Sequence, residues 1–230
     1  MLEVYTGRDL GRFPALSERM YRQRFEIYVK RRKWKGLTPM GGLEKDQYDT
    51  SQATYLLALD DEDDILAALR LLPTTGPHIL GDLFPHLAPE GVPRGEDILE
   101  LTRFYVAPFG AGKAVRTWLI GVLCAGLIEH CLATGVRQIT SVIDTFLLKL
   151  MQSMEWDVRL LGPSRDYGEG EAVAVIVEMS EKTLESTRRT KGVRGPVLSR
   201  HLPSIARIPA IVRHSPASLP GELVLAERHR

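Results

Sequence analysis

Apolar residues along the chain follow two periods. Residues 2–5, 53–59, 65–72, 138–143, 158–161 and 172–179 are short runs rich in Leu, Ile, Val and Ala, bounded by turn-forming residues. Such runs predict β-strands, and the acidic stretch Asp60-Asp61-Glu62-Asp63-Asp64 predicts the turn of a hairpin between the second and third. Helical spacing appears over residues 16–31, with Leu16, Met20, Tyr21, Phe25, Ile27, Tyr28 and Val29 forming a stripe beside a basic face. It recurs over 115–133, almost wholly apolar, and over 145–154. Strands alternating with helices imply an α/β (α+β) body, a mixed sheet carrying helices on its faces.

One predicted strand breaks the pattern. Ile98 and Leu99 lead into Glu100-Leu101-Thr102-Arg103-Phe104, and Tyr105 and Val106 follow. Period-2 geometry puts Glu100 and Thr102 on one face and Arg103 on the other unless the strand is bulged. A sheet tolerates buried charges only when they are paired with one another or with a polar ligand, and Arg24, Asp46, Asp49 and Arg70 are candidate partners. The pattern alone leaves open a structural ion-pair network or a substrate site.

Three segments lack a period. Residues 34–51 hold Trp34, a Gly- and Pro-containing stretch, and then Glu44, Asp46 and Asp49, which suits either a site loop or an acidic surface loop. Residues 73–95 form a Pro- and Gly-rich connection around Leu83, Phe84 and Leu87, expected to pack a small core of its own. Residues 107–113, with Gly110 and Gly112, lead into the long apolar helix, where free backbone N–H groups suit a phosphate or a pantetheine carbonyl. This turn lacks the glycine spacing and the Ser or Thr of a Walker loop.

Composition narrows the function. A chain of 230 residues with a formal net charge of +1, 44% hydrophobic and 26% charged, fits one globular body and argues against nucleic-acid binding by bulk charge. The most apolar run, 118–128, stops at Glu129 and His130, short of the roughly 18 residues of a membrane span. With no signal-peptide pattern at its start, a cytoplasmic location is expected. Cys124 and Cys131 lie seven apart on one helix as apolar fillers, and the six His residues show no metal-ligand spacing, so no metal is expected. No Gly-x-Ser-x-Gly elbow is present. From residue 187 the chain turns to scattered Arg, Pro and Ser, which divides it into a body over 1–186 and a basic, Pro-containing tail over 187–230.

Arg24, Trp34, Asp46, Asp49, Arg70, Phe84, Glu100 and Arg103, in this order and spacing, resemble the acyl-homoserine-lactone synthases, the Lux-type autoinducer makers, over about residues 1–180. Tyr28 stands where the family usually has Phe. The resemblance implies an acyl-CoA N-acyltransferase-like (GNAT-like) three-layer fold whose sheet splits into a V. It implies acylation of the S-adenosylmethionine amine by an acyl thioester, followed by lactone closure and release of methylthioadenosine, with both reactants as substrates and no cofactor. On that basis Glu100, Arg103, Asp46 and Asp49 are the expected catalytic residues, and Arg24, Tyr28, Trp34, Asp46, Asp49, Arg70 and Arg103 hold S-adenosylmethionine. Phe84, Thr102, Phe104, Tyr105, Gly110, Gly112, Thr140, Ser141 and Ile143 hold the acyl-pantetheine arm. Ala107, where the superfamily usually has Gln or Arg, leans the donor toward an acyl-carrier protein over acyl-CoA, with Lys113, Arg116 and Lys149 as candidate docking residues. No nucleic-acid or membrane partner is expected, and a monomer or weak homodimer is. The alternatives are an N-acyltransferase acting on another amine from acyl-CoA, and a binding or scaffold domain without turnover.

Overall fold

The structure, a computed structural model, describes residues 2–107 and 112–199. Strand β1 (Leu2–Thr6) is followed by a short helix α1 (Gly7–Leu10), capped by the Thr6 hydroxyl, which accepts from the Asp9 N–H. Helix α2 (Pro14–Arg24), with Pro14 at its first position, runs without a break into a π-helical stretch over Phe25–Arg31. The expected helix over 16–31 is thus α-helical for its first part and wider thereafter. The hairpin β2 (Thr54–Leu59) and β3 (Ile65–Pro73) comes next, then the one-turn helix α3 (Ile79–Asp82) and a 3-10 turn at Pro85–Leu87. The central strand β4 (Ile98–Val106) precedes α4 (Lys113–Thr134), which ends on Gly135 in the left-handed conformation (φ 78°) that favours glycine. Strand β5 (Gln138–Asp144), a 3-10 turn at Thr145–Leu147, α5 (Leu148–Ser153), β6 (Val158–Leu160), β7 (Arg165–Asp166), β8 (Glu171–Glu178) and α6 (Glu181–Lys191) complete the described chain.

All eight strands form one sheet in the order β1-β2-β3-β4-β5-β8-β6, with β7 also on β8. Every pairing is antiparallel except β4 with β5, which is parallel and joins only Ile98–Glu100 to Gln138–Thr140. Beyond Glu100 the two strands have no further paired residues, and the sheet opens into the expected V. The Ser141 hydroxyl, donating to the Leu101 carbonyl at 2.8 Å, ties the arms together at its base. One face of the sheet packs against α4 and α6 through Leu56, Leu69, Leu101, Val173 and Val175; the other packs against α1, α2 and the π-helical stretch through Tyr5, Tyr55, Leu57, Ala68 and Tyr105. The whole of α4, longer than the run 118–128, is long and apolar enough to cross a membrane, a test that a core helix also passes; its buried residues pack against the sheet and α6. A third, small cluster of Leu80, Leu87 and Ala88 with Ala172 and Ala174 is the core foreseen for the 73–95 connection.

Helix α6 crosses the expected boundary at 186, and the packed body continues to Ser199. Val193 and Val197 are buried. The Leu2 N–H donates to the Val197 carbonyl at 2.8 Å, and the Ser199 N–H to the Leu2 carbonyl at 2.9 Å. Glu129, on α4, accepts from the Val197 and Leu198 N–H groups and from Arg188. Those backbone bonds pair the first residue of the β1 edge, Leu2, with the chain after α6.

Candidate active site

Two strands, the end of one helix and one loop bring the charged residues together. On β4 the register against β3 shifts: Ala68 pairs with Tyr105 but Arg70 with Thr102, so β4 carries one extra residue between them. Arg103 sits in this bulge with φ 49°, a conformation that strains a side chain by about 1–3 kcal/mol. Its effect is to place Glu100, Thr102, Arg103 and Tyr105 on the α2 side of the sheet, where strict alternation would have turned Arg103 away. Arg70, the one charged side chain of β3, lies opposite Thr102 and donates from Nε to its hydroxyl at 3.0 Å. From the other layer come Arg24, at the end of α2, and Glu44, Asp46 and Asp49 from the loop.

These side chains form a network of three guanidiniums and three carboxylates. Arg24 donates from Nε to Glu44 at 2.5 Å and, through both terminal nitrogens, to Asp49 at 2.8 and 2.9 Å. Arg70 binds Asp46 at 2.6 and 3.0 Å and Asp49 at 2.7 Å. Arg103 binds Glu44 at 2.9 and 3.1 Å and Asp46 at 2.7 Å. Tyr55 adds its hydroxyl to Asp49 at 2.8 Å. Burial alone would raise the carboxyl pKa of Asp49, but Arg24 and Arg70 overcome it and hold Asp49 well below the usual range. Glu44 is likewise lowered, by Arg24 and Arg103 against its burial, and the acids in turn keep Arg24 charged against its own desolvation. Paired forks of this kind are rigid as well as attractive.

Glu100 differs from these acids. Fully buried, it accepts the N–H groups of Ile79 at 2.7 Å and Leu80 at 2.6 Å, the first turn of α3, and touches no guanidinium directly. Burial pushes its carboxyl up to about 7, against the pull of those two N–H groups and of Arg70. A carboxylate held at neutrality is suited to take and return a proton.

A cavity of about 750 Å³ fills the opening between β4 and β5. Its polar end is walled by Glu44, Asp46, Glu100, Thr102, Arg103 and the rings of Tyr28 and Trp34; its apolar end by Leu101, Phe104, Ile120, Cys124, Ile143 and Met151 among others. Tyr28 and Trp34 are stacked, centroids 4.8 Å apart, and Arg103 lies over both rings at 5.4 and 5.9 Å. The buried Tyr28 hydroxyl donates to the Phe104 carbonyl at 3.1 Å, tying the π-helical stretch to the bulge. Burial raises that hydroxyl to about 12, so it stays protonated and donates.

Of the residues expected at the site, Tyr28, Trp34, Asp46, Phe84, Glu100, Thr102, Arg103, Phe104, Tyr105, Ser141 and Ile143 line this cavity. Arg24, Arg70 and Asp49 stand behind its wall, bonded to the residues that do. Thr140 is buried on the opposite face of β5 from Ser141 and lies outside the lining, because neighbouring strand residues point to opposite sides. Gly112 caps α4 in extended geometry, whereas Gly110 falls outside the described residues. Of the three basic candidates only Arg116 reaches the cavity, at one end of the α4 stripe Arg116, Ile120, Cys124; Lys113 and Lys149 are exposed elsewhere. Sequence reasoning left Glu44 out of the site although it lies two residues before Asp46 in the same acidic loop. Both cysteines are buried and free, with thiols pushed up to about 12 by burial. Among the described residues no group of three or more His, Cys, Asp or Glu is placed to hold a metal.

The sequence model of the family described as autoinducer synthase matches residues 12–187. The chain is 31% identical over 186 residues to the isovaleryl-homoserine lactone synthase of Bradyrhizobium diazoefficiens, covering 80% of this chain and 83% of that protein. It is 30% identical to an acyl-homoserine-lactone synthase of Ralstonia nicotianae, covering 75% and 87%. Among solved structures, the CoA-dependent acyl-homoserine lactone synthase MesI superposes with a TM-score of 0.79 at 33% identity, covering 87% of this chain and 100% of that one. BjaI, a CoA-dependent synthase solved with S-adenosylmethionine and isopentyl-CoA, superposes with a TM-score of 0.79 at 27% identity, covering 89% and 95%. An N-acetyltransferase from Lactobacillus plantarum, at 13% identity and a TM-score of 0.51, shares the fold alone. With residues 12–187 matched by that family's model and a relative 31% identical over most of both chains, the chain belongs to the autoinducer synthases, the acyl-homoserine-lactone synthase family.

Proposed function

We propose that this chain makes an acyl-homoserine lactone from S-adenosylmethionine and an acyl-CoA, and that the cavity between β4 and β5 holds both. S-adenosylmethionine carries a cationic sulfonium, a cationic amine and an anionic carboxylate, so its pocket must offer both signs. The polar end does so with Asp46 and Glu44 beside Arg103, and the Tyr28 and Trp34 faces add cation–π attraction for the sulfonium. Arg24, Arg70 and Asp49 position those groups from behind. An apolar end of the same cavity suits a hydrocarbon acyl chain.

The amine, with an ordinary pKa of about 8, is mostly protonated at neutral pH and cannot attack until it loses a proton. Glu100 takes that proton, directly or through a water. The amine nitrogen then adds to the thioester carbonyl carbon, and the oxyanion is met by backbone N–H groups at the Arg103 bulge, where the register leaves Arg103 and Phe104 without partners on β3. Collapse of the adduct breaks the C–S bond, and the departing thiolate recovers a proton. One carboxylate oxygen of the acylated S-adenosylmethionine then attacks its γ-carbon; the C–S⁺ bond breaks with its electron pair going to sulfur, releasing neutral methylthioadenosine and the lactone. Closure asks chiefly for positioning, since sulfonium is already a good leaving group.

The observation that carries this reading is the coexistence, in one hollow, of a carboxylate poised near neutrality and a wall of mixed charge. The choice of CoA over a carrier protein rests on the CoA-dependent relatives and on Arg116, which lines the cavity from the first turn of α4 beside N–H groups suited to phosphate. Purified protein given S-adenosylmethionine with either acyl-CoA or the matching acyl-carrier protein tests both parts. Lactone from acyl-CoA at the higher kcat/KM is expected; faster turnover on the carrier protein would overturn the donor assignment, and lactone from neither would overturn the whole.

A further inference from the structure

The segment following the π-helical stretch crosses the mouth of the V and is fastened on its far side. Arg32 donates from a terminal nitrogen to Asp144 at 2.9 Å, where β5 ends, and its guanidinium lies 5.6 Å from the Trp34 ring centroid. Tyr167, in the turn between β7 and β8, donates its hydroxyl to the other Asp144 oxygen at 2.6 Å. Glu169, two residues on, accepts the Lys35 N–H at 2.7 Å. Arg32, Trp34, Asp144, Tyr167 and Glu169 all line the cavity. The near side is anchored too: the Arg32 N–H donates to the Ile27 carbonyl and the Trp34 N–H to the Tyr28 carbonyl, with Lys33 between them at φ 57°.

The far-side turn is shaped for this reach. Gly168 and Gly170 have φ of 87° and 157°, and a Cβ on Gly170 would come within 3.3 Å of the Tyr167 hydroxyl and 3.5 Å of an Asp144 oxygen. A side chain there would press on the contact itself. Burial, followed by the bond to Asp144, raises the Tyr167 hydroxyl to about 12, so it remains a donor throughout the working range.

We propose that Asp144 and Tyr167, with Glu169, are positioning residues that strap the Trp34 segment across the cleft and so keep water from the acyl thioester while the amine attacks. Resting on the synthase reading above, the proposal assigns to the far arm of the V a role in holding the aromatic wall. None of the three needs to touch a reacting atom. Their effect runs through Arg32 and Lys35 to the ring of Trp34, whose partner Tyr28 is tied to the bulge. A loosened strap exposes the thioester, so acyl-CoA is lost to water without lactone being formed.

The test compares Tyr167→Phe, Asp144→Asn and the double variant with the parent. Losing the Tyr167 hydroxyl, the Asp144 charge or both raises KM for S-adenosylmethionine about 5–30-fold while kcat changes less than threefold. Thioester hydrolysis per lactone formed rises with it. Hydrogen exchange read by mass spectrometry gives a measurement that needs no substrate: residues 32–36 exchange faster in the variants while the β2–β3 hairpin does not. Unchanged exchange at 32–36 overturns the strap whatever the enzyme makes, and so does an unchanged KM and hydrolysis ratio in an active enzyme. Faster local exchange in a protein that makes no lactone would instead retain the strap and reject the synthase reading.

Discussion

Replacing Glu100 by Gln separates its charge from its shape. The carboxylate accepts two N–H groups, from Ile79 and Leu80. A Gln amide can accept one of them with its oxygen but turns a second donor toward the other, a mismatch worth about 1–3 kcal/mol at a buried site. Against that cost, the wild-type carboxyl is raised from 4.5 to about 7, chiefly by burial. A raised acid binds its proton more tightly folded than unfolded. Its contribution to stability is therefore fully present below about 4.5 and is lost as pH rises through about 7, amounting to roughly 3 kcal/mol in all. The variant lacks this slope, so its deficit relative to wild type should shrink, and can reverse, between pH 4.5 and 8. Urea denaturation at four or five pH values measures it. Kinetically, wild-type kcat/KM should climb as Glu100 ionises through about 7. The variant should lose that limb and about 10²–10⁴ in rate. If E100Q kept both the rate and the rising limb, Glu100 would not be the base; a stability difference independent of pH would refute its raised pKa.

Asp49→Asn leaves Arg24 and Arg70 short of a buried counter-charge and should cost about 3–5 kcal/mol, read as a lowered denaturation midpoint. Because the Asp49 carboxyl is depressed in the folded protein, its contribution is present above the ordinary carboxylate range and is lost as pH falls below it, so wild type and variant should converge in acid. Arg103→Lys keeps the charge but loses the fork shared between Glu44 and Asp46; kcat/KM for S-adenosylmethionine should fall about 10–100-fold in steady-state assays. Glu129→Ala unties Val197, Leu198 and Arg188, and should cost about 1–3 kcal/mol and open the chain after residue 191 to limited proteolysis.

The strands and the core helix were legible because each repeats its period often enough to be read: β3 places eight buried residues in a row, and α4 gives an apolar run of several turns. What stayed hidden had too little apolar signal. Helices α1 and α3 are four residues each, shorter than a period can show. Helix α6 is mostly charged and buries Leu184 together with the small polar Ser186 and Thr187, the latter bonded to the Trp156 indole at 2.7 Å, so no helix shows in its sequence and its second half reads as tail. At the site, Glu100 and Arg103 stood out as charges inside a strand, and Arg70 as the one charge in β3. Their arrangement did not follow from pattern, because a bulge at Arg103 decides which face it takes and nothing in Glu-Leu-Thr-Arg-Phe announces a positive φ. Asp49 differs: the resemblance paired it with the substrate, whereas its oxygens are spent on Arg24, Arg70 and Tyr55.

Product stoichiometry in a single closed reaction tests most directly whether one hollow holds S-adenosylmethionine against an acyl thioester. With purified protein, S-adenosylmethionine and an acyl-CoA, mass spectrometry should find acyl-homoserine lactone, methylthioadenosine and free CoA formed in equal amounts. Acylated amine and free CoA without methylthioadenosine would contradict it.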